Sequence, residues 1–359
     1  SIPYFHENAS RRVRHQGRLP DRKARHVTPL IDTHGRQIRY VRISITDRCN
    51  LRCRYCMPAS GVEWIPHEKI MRYEEYLRIL GICVNRGMEK VRITGGEPLL
   101  RKGLVEFVRS VSLLKGIRDL SLTTNGVLLP SMASELKQAG LNRLNISLDT
   151  LDREKFIHIT QVNAFDRVIA GIRAAADAGF APIKINVVAI RGVNDGEIPA
   201  FASLTRQYDA EVRFIELMPM GCASRFGSPE IIRAPEIRRI IEASQGALEE
   251  VEYGGGPARV YRLAGAKGLI GLIGALSEHD FCGKCNRIRI TASGRLRPCL
   301  FSDSEVDLLG PMRRGITDAE LEALIEEGVE MKGLRHGICA GRPPGMDPDS
   351  TTTMNVLGG

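Results

Sequence analysis

The sequence is poor in aromatic residues, which make up 5% of its 359 residues and include only 1 tryptophan. It has no apolar run long enough to cross a membrane and no secretory signal pattern at its start, so we expect no membrane association. Its 9 cysteines are too few for a disulfide scaffold, and their clustering indicates metal binding in a reducing compartment. We therefore predict a cytoplasmic protein, or one of an organelle matrix if the first residues form a transit peptide.

Acidic residues are outnumbered by basic ones, 42 to 51, which gives a formal net charge of +9 at pH 7. This excess indicates an anionic ligand, whereas no nucleic-acid-binding motif is present. Part of the excess lies in residues 1–31, which we predict to be a basic, disordered tail. We predict three further parts: a barrel over residues 32–221, a region over 222–340, and a C-terminal tail over 341–359.

The segment from Cys49 to Cys56 holds three thiols close together. Thiolates are soft ligands that suit zinc and iron–sulfur clusters, and three of them leave one iron of a four-iron cluster open to a small molecule. The spacing of Cys49, Cys53 and Cys56 resembles the signature of the radical S-adenosylmethionine (SAM) enzymes, which has an aromatic residue, here Tyr55, before the last cysteine. A zinc site is the alternative.

From residue 32 onward, strand and helix patterns alternate. We predict six strands, over Tyr40–Thr46, Lys90–Thr94, Asp119–Asn125, Arg143–Asp149, Ile183–Ile190 and Glu211–Leu217. Clear helices between them are predicted over Tyr73–Asn85, Gly103–Leu114, Ser131–Gln138, Phe165–Ala178 and Pro199–Tyr208. This order favours an α/β fold with a parallel sheet, in which six units make a partial, TIM-like (β/α)6 barrel. After residue 221 the rhythm fades into an α+β region.

Polar and apolar residues alternate within the predicted strands. In the first strand, Arg42 lies on the face opposite to Val41 and Ile43, and the other strands repeat this pattern. Parallel strands that are buried on both faces read as nearly continuous apolar runs. We therefore expect apolar faces against the helices and polar faces around a wet lumen. A solvent-facing antiparallel sheet is the alternative.

Three basic residues fall on the predicted lumen faces: Arg42, Arg92 and Lys184. Buried cations are costly unless they are paired, so three in one cavity indicate an anionic ligand. A polyphosphate suits them better than a single carboxylate. The alternative is that each cation pairs with an internal acid such as Asp149, Glu97 or Glu216.

A second cysteine set comprises Cys282, Cys285 and Cys299. Because His279 lies shortly before it, spacing alone leaves a Cys3His zinc site and an iron–sulfur cluster both open. Arg287 and Arg289 alternate with Ile288 in a strand pattern, so two basic side chains share one face beside the metal centre. This arrangement suits an anionic or purine ligand, and an exposed edge strand is the alternative.

Together these motifs resemble the GTP 3′,8-cyclase family of molybdenum cofactor biosynthesis, over residues 32–303 and at the terminal Gly-Gly. The resemblance is carried by both cysteine sets and by the stretches Val41–Asn50, Arg92–Pro98, Leu122–Gly126, Asn145–Asp149 and Phe214–Met218. The Gly-Gly-Glu-Pro of the second stretch resembles the radical SAM motif that holds the methionine amino group. Residues 1–31 and 335–354 match nothing in the family.

The resemblance implies two [4Fe–4S] clusters. The first would be held by Cys49, Cys53 and Cys56 and would bind SAM, and the second, held by Cys282, Cys285 and Cys299, would bind the guanine of GTP. The family's SAM-contacting positions are matched by Tyr55, Gly96, Ser147 and Met218. Its GTP-contacting positions are matched by Arg42, Arg92, Thr123, Lys184, Arg287, Ile288 and Arg289. The terminal Gly358 and Gly359 would reach into the active site.

The resemblance also implies a reaction. A 5′-deoxyadenosyl radical from SAM would take the C3′ hydrogen of GTP, C3′ would attack C8 of the guanine, and reduction would give 3′,8-cyclo-7,8-dihydro-GTP. The partners would be an electron donor and, downstream, cyclic pyranopterin monophosphate synthase, with the chain a monomer or homodimer. One rival hypothesis is another two-cluster radical SAM enzyme that modifies a peptide. The other is a nucleic-acid-binding protein with structural zinc.

Overall fold

The computed structural model describes residues 28–58, 61–252, 256–278 and 281–336. In this part of the chain, one sheet has twelve strands: β1 (Tyr40–Ser44), β2 (Lys90–Thr94), β3 (Asp119–Thr124), β4 (Arg143–Ser147), β5 (Ile183–Ala189), β6 (Ala210–Glu216), β7 (Leu248–Val251), β8 (Arg259–Leu263), β9 (Leu269–Ile273), β10 (Arg287–Ile290), β11 (Arg295–Arg297) and β12 (Val306–Asp307). The α-helices are α1 (Tyr73–Asn85), α2 (Leu104–Ser112), α3 (Leu129–Gln138), α4 (Arg153–Thr160), α5 (Phe165–Asp177), α6 (Ile198–Gln207), α7 (Ala234–Gln245), α8 (Leu309–Arg313) and α9 (Asp318–Glu330).

Strands β1 to β6 lie side by side in chain order and are parallel. Two strands from the C-terminal region extend this run in the same direction, β10 beside β1 and β9 beside β6. Antiparallel strands then follow at each edge, β11 and β12 beyond β10, and β8 and β7 beyond β9. Strands β9 and β10 do not pair with each other, so the barrel formed by the described residues stays open between them.

Helix α1 illustrates how the sequence directs helices to the outer face of the sheet. Its buried residues Tyr76, Ile79, Leu80 and Cys83 recur at helical spacing on one face. The Arg72 backbone N–H donates to the Glu75 carboxylate at 2.6 Å, which fixes the N-terminus of the helix. Each large apolar side chain buried in this way stabilises the fold by about 1.5–3 kcal/mol. The helix bounds are those predicted from the sequence.

The predicted alternation of strand faces is present. In β1, Val41 and Ile43 are fully buried in the core between sheet and helices. On the other face, the register of β10, β1 and β2 sets Arg289, Arg42 and Arg92 side by side. Residues from both ends of the parallel run line one cavity, so the sheet curves around a lumen.

The predicted partial barrel with a C-terminal α+β region is confirmed, and the structure adds to it. The short helices α4 and α8 and the strands β7, β11 and β12 had no predicted counterpart, because each lacks the length for a clear periodicity. The parallel attachment of β9 and β10 to the barrel was also not predicted. No helix in the described residues combines the length and apolar character needed to cross a membrane.

Candidate active site

The first cysteine set lies in the loop that follows β1, at the carboxyl ends of the parallel strands. The Cys56 and Met57 backbone N–H groups both donate to the Cys53 carbonyl, at 2.8 and 3.0 Å, so the chain turns tightly there. The Arg52 and Arg54 N–H groups donate to carbonyls at the end of α4, at 2.9 and 3.0 Å. Helix α4 therefore anchors the loop against the barrel.

Asn125, which follows β3, links this loop to the sheet. Its side-chain amide donates to the Asn50 side chain at 2.8 Å and approaches the Cys49 sulfur at 3.8 Å. Its own N–H donates to the buried carboxylate of Glu97 at 2.7 Å. Glu97 also accepts from Leu99 N–H at 3.0 Å and from the Thr124 hydroxyl at 2.8 Å, and burial raises its pKa to about 7. Glu97 thus ties the ends of β2 and β3 to the cysteine loop.

The two glycines after β2 are required by a close approach of backbone segments. A Cβ on Gly95 would lie 2.6 Å from the Thr46 carbonyl oxygen, and one on Gly96 would lie 2.4 Å from that of Arg48. The Gly96 N–H donates to Thr46 and the Glu97 N–H to Arg48, both at 2.7 Å. The segment therefore packs directly on the start of the cysteine loop, and no side chain fits between them.

Tyr55 and Ser147, two of the expected SAM contacts, line a small cavity beside this loop together with Cys53 and Asp149. The Tyr55 hydroxyl donates to Asp149 at 2.6 Å, and the other oxygen of Asp149 accepts from Val188 N–H at 2.8 Å. Burial raises the pKa of Asp149 to about 6. Met218, the fourth expected contact, lines the larger cavity of the lumen.

The thiols of the first set suit a metal cluster in which several metal atoms each bind one thiolate. Burial raises the pKa of Cys49 to about 11 and that of Cys53 well above its usual value, so a positively charged group is needed to hold them as thiolates. The Leu51 N–H donates to the Cys49 sulfur at 3.4 Å. Among the described residues, no three His, Cys, Asp or Glu side chains converge on a point where a single metal ion would be bound. A four-iron cluster instead binds each thiolate at a different iron.

The second cysteine set lines the lumen. Cys282, Cys285 and Cys299 share a cavity of about 140 Å³ with residues from both ends of the parallel run. We call this the lumen cavity, defined by these cysteines and by Arg42, Arg92, Asn186, Arg213 and Arg289. Burial alone would raise the pKa of Cys285, but the charges of Arg287 and Lys332 lower it to about 6. This thiol is therefore predisposed to the thiolate form that iron binds. His279 lies outside the described residues.

Four arginines form a cationic cluster in the lumen: Arg42, Arg92, Arg287 and Arg289. Burial, and then repulsion from the other three, lowers the pKa of Arg42 well below its usual value. Burial and the Arg287 charge lower that of Arg289 to about 10. Tyr40 lies among them, with the Arg92 guanidinium 5.7 Å from its ring centre. Like charges this close store repulsion that a bound polyanion would relieve.

Lys184 is paired, but with an acid that the sequence analysis did not name. Its ammonium group bonds to Glu211, which also accepts from Arg213 at 2.5 Å. All three side chains are nearly inaccessible to solvent. Burial and the Arg213 charge lower the pKa of Lys184 to about 8, although Glu211 opposes this shift. The three acids suggested as partners have other roles. Those of Glu97 and Asp149 are given above, and Glu216 accepts from Ala234 N–H and Leu276 N–H at 2.7 Å.

The structure brings most of the predicted site residues together. Thr123 lies on the lumen face of β3, and its buried hydroxyl has no partner among the described residues. Ile288 is fully buried on the opposite face of β10, so only its backbone is available to a ligand. Gly358 and Gly359 lie outside the described residues.

Sequence reasoning missed several residues of the lumen cavity. Arg213 alternates with Val212 and Phe214 in β6, and this pattern could have identified it. Lys332 and His336 follow α9 in an irregular segment, where no periodicity signals a role. The Lys332 ammonium donates to the Pro298 carbonyl at 2.8 Å, and the His336 ring stacks on Phe301 with centres 4.3 Å apart. They close the side of the cavity next to the second cysteine set.

An open parallel barrel with a three-cysteine loop after its first strand defines the chain as a radical SAM protein. Residues 43–205 match the Radical SAM superfamily, and residues 210–338 match the family Molybdenum Cofactor Synthesis C. The structure of Streptococcus suis SuiB bound to S-adenosylmethionine covers 89% of this chain and 78% of its own, with a TM-score of 0.58. At 16% identity this likeness concerns the fold alone.

Within this superfamily, curated relatives are much closer. The GTP 3′,8-cyclase of Heliobacterium modesticaldum is 50% identical over 309 residues, which cover 86% of this chain and 94% of the relative. That of Pelotomaculum thermopropionicum is 49% identical over 312 residues, 86% of this chain and 96% of the relative. That of Geobacter sulfurreducens is 50% identical over 315 residues, 87% and 95% of the two chains. The chain belongs to the GTP 3′,8-cyclase family.

Proposed function

We propose that this chain converts GTP to (8S)-3′,8-cyclo-7,8-dihydroguanosine 5′-triphosphate with SAM and two [4Fe–4S] clusters, the first step of molybdenum cofactor biosynthesis. The observation that carries the proposal is that the arginine cluster and the second cysteine set line one cavity. A purine nucleotide with a polyphosphate needs both an anion site and a site for its base, and this cavity combines them. A cytoplasmic location, an electron donor and a downstream pterin-forming synthase are part of the proposal.

The first cysteine loop is the proposed SAM site. A reduced cluster on Cys49, Cys53 and Cys56 would supply reductive cleavage of SAM to methionine and a 5′-deoxyadenosyl radical. Glu97 and Asn125 hold the loop against β2 and β3, so a cluster bound by its three thiols would lie at the strand ends. The backbone of Gly96 and the side chains of Tyr55, Ser147 and Met218 would hold SAM there.

The arginine cluster, with Thr123 and Lys184, is the proposed nucleotide site. Cys282, Cys285 and Cys299 would hold the second cluster at the guanine end, and Arg287, Arg289 and Arg42 line the same cavity as these cysteines. Fixed cations orient the triphosphate and so place the ribose between the two cysteine sets. Position, rather than acid or base strength, then decides which hydrogen is abstracted. We propose that Arg213, paired with Glu211, adds to this charge.

Metal content tests the cofactor assignment. After anaerobic purification we expect about eight irons per chain, and about four in Cys282→Ala, because two four-iron clusters each need their three thiolates. A matched control is Cys83→Ala, which alters a fully buried thiol in α1 and should keep the parent's iron content. About four irons plus one zinc in the parent would remove the second cluster and its guanine site from the proposal.

The variant Arg287→Ala tests the division of the two sites. Arg287 lines the cavity of the second cysteine set and lies beside Tyr40 at the start of β1, whereas the first cysteine loop follows the end of β1. We expect loss of GTP turnover while cleavage of SAM persists. Equal loss of both activities would contradict separate SAM and nucleotide sites.

A further inference from the structure

A second, larger cavity of about 820 Å³ lies beside the lumen cavity, on the open side of the barrel. Its walls come from the start of α7, from β8 and β9, and from the segment before β10. We call it the lateral cavity, defined by residues that line it and not the lumen cavity: Arg238, Ala258, Arg259, Tyr261, Lys284 and Asn286. None of these six is assigned to SAM or nucleotide binding above.

The two cavities adjoin each other. Tyr40, Pro257, Phe281 and Arg287 line both of them. Tyr40 and Arg287 are neighbours in register at the first positions of β1 and β10. The Arg287 guanidinium lies 5.7 Å from the centre of the Phe281 ring, so two aromatic rings and one cation surround the passage. A ligand in the lateral cavity would meet the arginine cluster directly behind this passage.

Cations are held in place along the lateral cavity. The guanidinium groups of Arg238 and Arg259 lie 5.1 and 5.9 Å from the centre of the Tyr261 ring. Arg238 also pairs with Glu242 at 3.0 Å, and Arg259 with Glu250 at 2.6 Å. Because these contacts restrict the side chains, their charges stay at the cavity wall. Each of these two arginines is offset by its acid partner, so the excess positive charge of the cavity comes from Lys284 and, at the passage, from Arg287.

Acidic residues also line the lateral cavity, so its electrostatic potential is not uniformly positive. Glu250 is compensated by Arg259, and Glu252 lies at the exposed rim. Burial raises the pKa of Glu278 to about 7, against the charge of Arg259, so this carboxyl is partly neutral near neutral pH. The positive charge therefore prevails toward the passage, where Arg287 lies. A cleft in which one sign of charge is in excess raises the local concentration of an oppositely charged ligand.

We propose that the lateral cavity is the route by which the substrate nucleotide reaches the arginine cluster. The inference rests on the proposed function, since it takes GTP as the ligand of that cluster. The space beside the first cysteine loop, at the other end of the strands, is only about 30 Å³ and is lined by SAM-site residues. A lateral route would let the nucleotide enter or leave without disturbing that loop.

A bulky side chain in the lateral cavity tests the route. Ala258 lines this cavity and not the lumen cavity, so Ala258→Trp would narrow the route and leave the binding residues intact. Ala323→Trp, on the exposed face of α9, is the matched control. We would measure association and dissociation rate constants of radiolabelled GTP by rapid filtration, with the anaerobic holoenzyme and without SAM. We expect both constants to fall about tenfold in Ala258→Trp with the Kd nearly unchanged, since a route affects both directions equally.

A charge reversal supplies a second, independent variant. Arg238 lines the lateral cavity, whereas Arg239, next to it on α7, is exposed and does not. Arg238→Glu and Arg239→Glu therefore change the net charge equally on the same helix. We expect the association rate constant to fall about fivefold in Arg238→Glu at low salt, and the difference to shrink at high salt, because steering is screened. Arg239→Glu should stay close to the parent.

The outcomes separate the route from the proposed function. If the parent does not bind GTP, the proposed function fails. If the parent binds GTP and both cavity variants keep its rate constants, only the route fails. A weaker affinity with an unchanged association rate constant in Ala258→Trp would make the cavity part of the binding site and would also overturn the route. If Ala258→Trp loses its iron and fails to fold, the association rate constants of Arg238→Glu and Arg239→Glu test the route instead. Equal rate constants in these two variants would then overturn it.

Discussion

The buried group of Glu211, Lys184 and Arg213 allows a quantitative prediction. Glu211 is 0% exposed and is the partner of both cations, whose side chains are 1% and 6% exposed. In Glu211→Gln the shape is kept, but two buried cations lose their counter-charge. Breaking a buried ion pair by removing one partner costs about 3–5 kcal/mol. Lys184 can release its proton, since its pKa is already lowered to about 8, so we expect the lower end of this range.

The assay is the melting temperature under anaerobic conditions at one scan rate. For a chain of this length, about 3 kcal/mol corresponds to a fall of about 4 °C, from an unfolding entropy of about 2 cal/mol/K per residue. The matched control is Glu250→Gln, which breaks an ion pair with Arg259 whose side chains are 52% and 50% exposed. Exposed pairs contribute about 0–1 kcal/mol, so we expect a fall of about 1 °C or less.

Nucleotide binding adds a second readout to this experiment. A triphosphate in the lumen would replace part of the charge that Glu211 supplied, so GTP should raise the melting temperature of Glu211→Gln more than that of the parent. Glu250→Gln should respond to GTP like the parent. A loss of stability in Glu211→Gln no larger than in Glu250→Gln would refute the reasoning that these buried cations depend on one carboxylate.

Three further predictions follow from backbone packing and from a buried carboxyl. Gly96→Ala would place a Cβ 2.4 Å from the Arg48 carbonyl, so we expect displacement of the first cysteine loop and loss of about four irons per chain, and unchanged iron content would contradict this. Burial raises the pKa of Asp149 to about 6, so its stabilising contribution is complete below about pH 4 and is lost as the pH rises through 6. The free energy of unfolding of the parent, relative to that of Asp149→Asn, should therefore fall by about 3 kcal/mol between about pH 4 and pH 6. Parallel pH profiles of the two proteins would exclude this contribution of Asp149. Gly171→Ala would set a Cβ 2.2 Å from the Gly126 carbonyl and should lower the unfolding free energy by about 1–3 kcal/mol, whereas Gly196→Ala, with nothing within 4 Å, should be nearly neutral.

Much of the fold could be predicted from local patterns in the sequence. The bounds of β2 and α1 were predicted as observed, because each element has a clear period of its own and a defined start. The alternation in β1 was enough to set Arg42 apart from the core residues on the opposite face. Alternation is a property of neighbouring positions, so no tertiary contact is needed to read it.

The partners of the buried charges could not be predicted in this way. The acids expected as alternative partners of the lumen cations were Glu97, Asp149 and Glu216, but Lys184 pairs with Glu211 on the next strand. Register between β5 and β6 decides this pairing, and register depends on the whole sheet. Lys332 and His336 reach the lumen cavity from an irregular segment after α9, which has no pattern to indicate a direction.

The sequence by itself determined the two cysteine sets, the parallel barrel and the polar character of its inner face, because spacing and alternation act over a few residues. Only the tertiary structure decided that β9 and β10 extend the barrel from the C-terminal region and leave its side open. It also decided that the second cysteine set and five arginines meet in one cavity, with a larger cavity beside it. These features depend on contacts between residues more than two hundred positions apart, such as Arg42 and Arg289, which no local periodicity encodes.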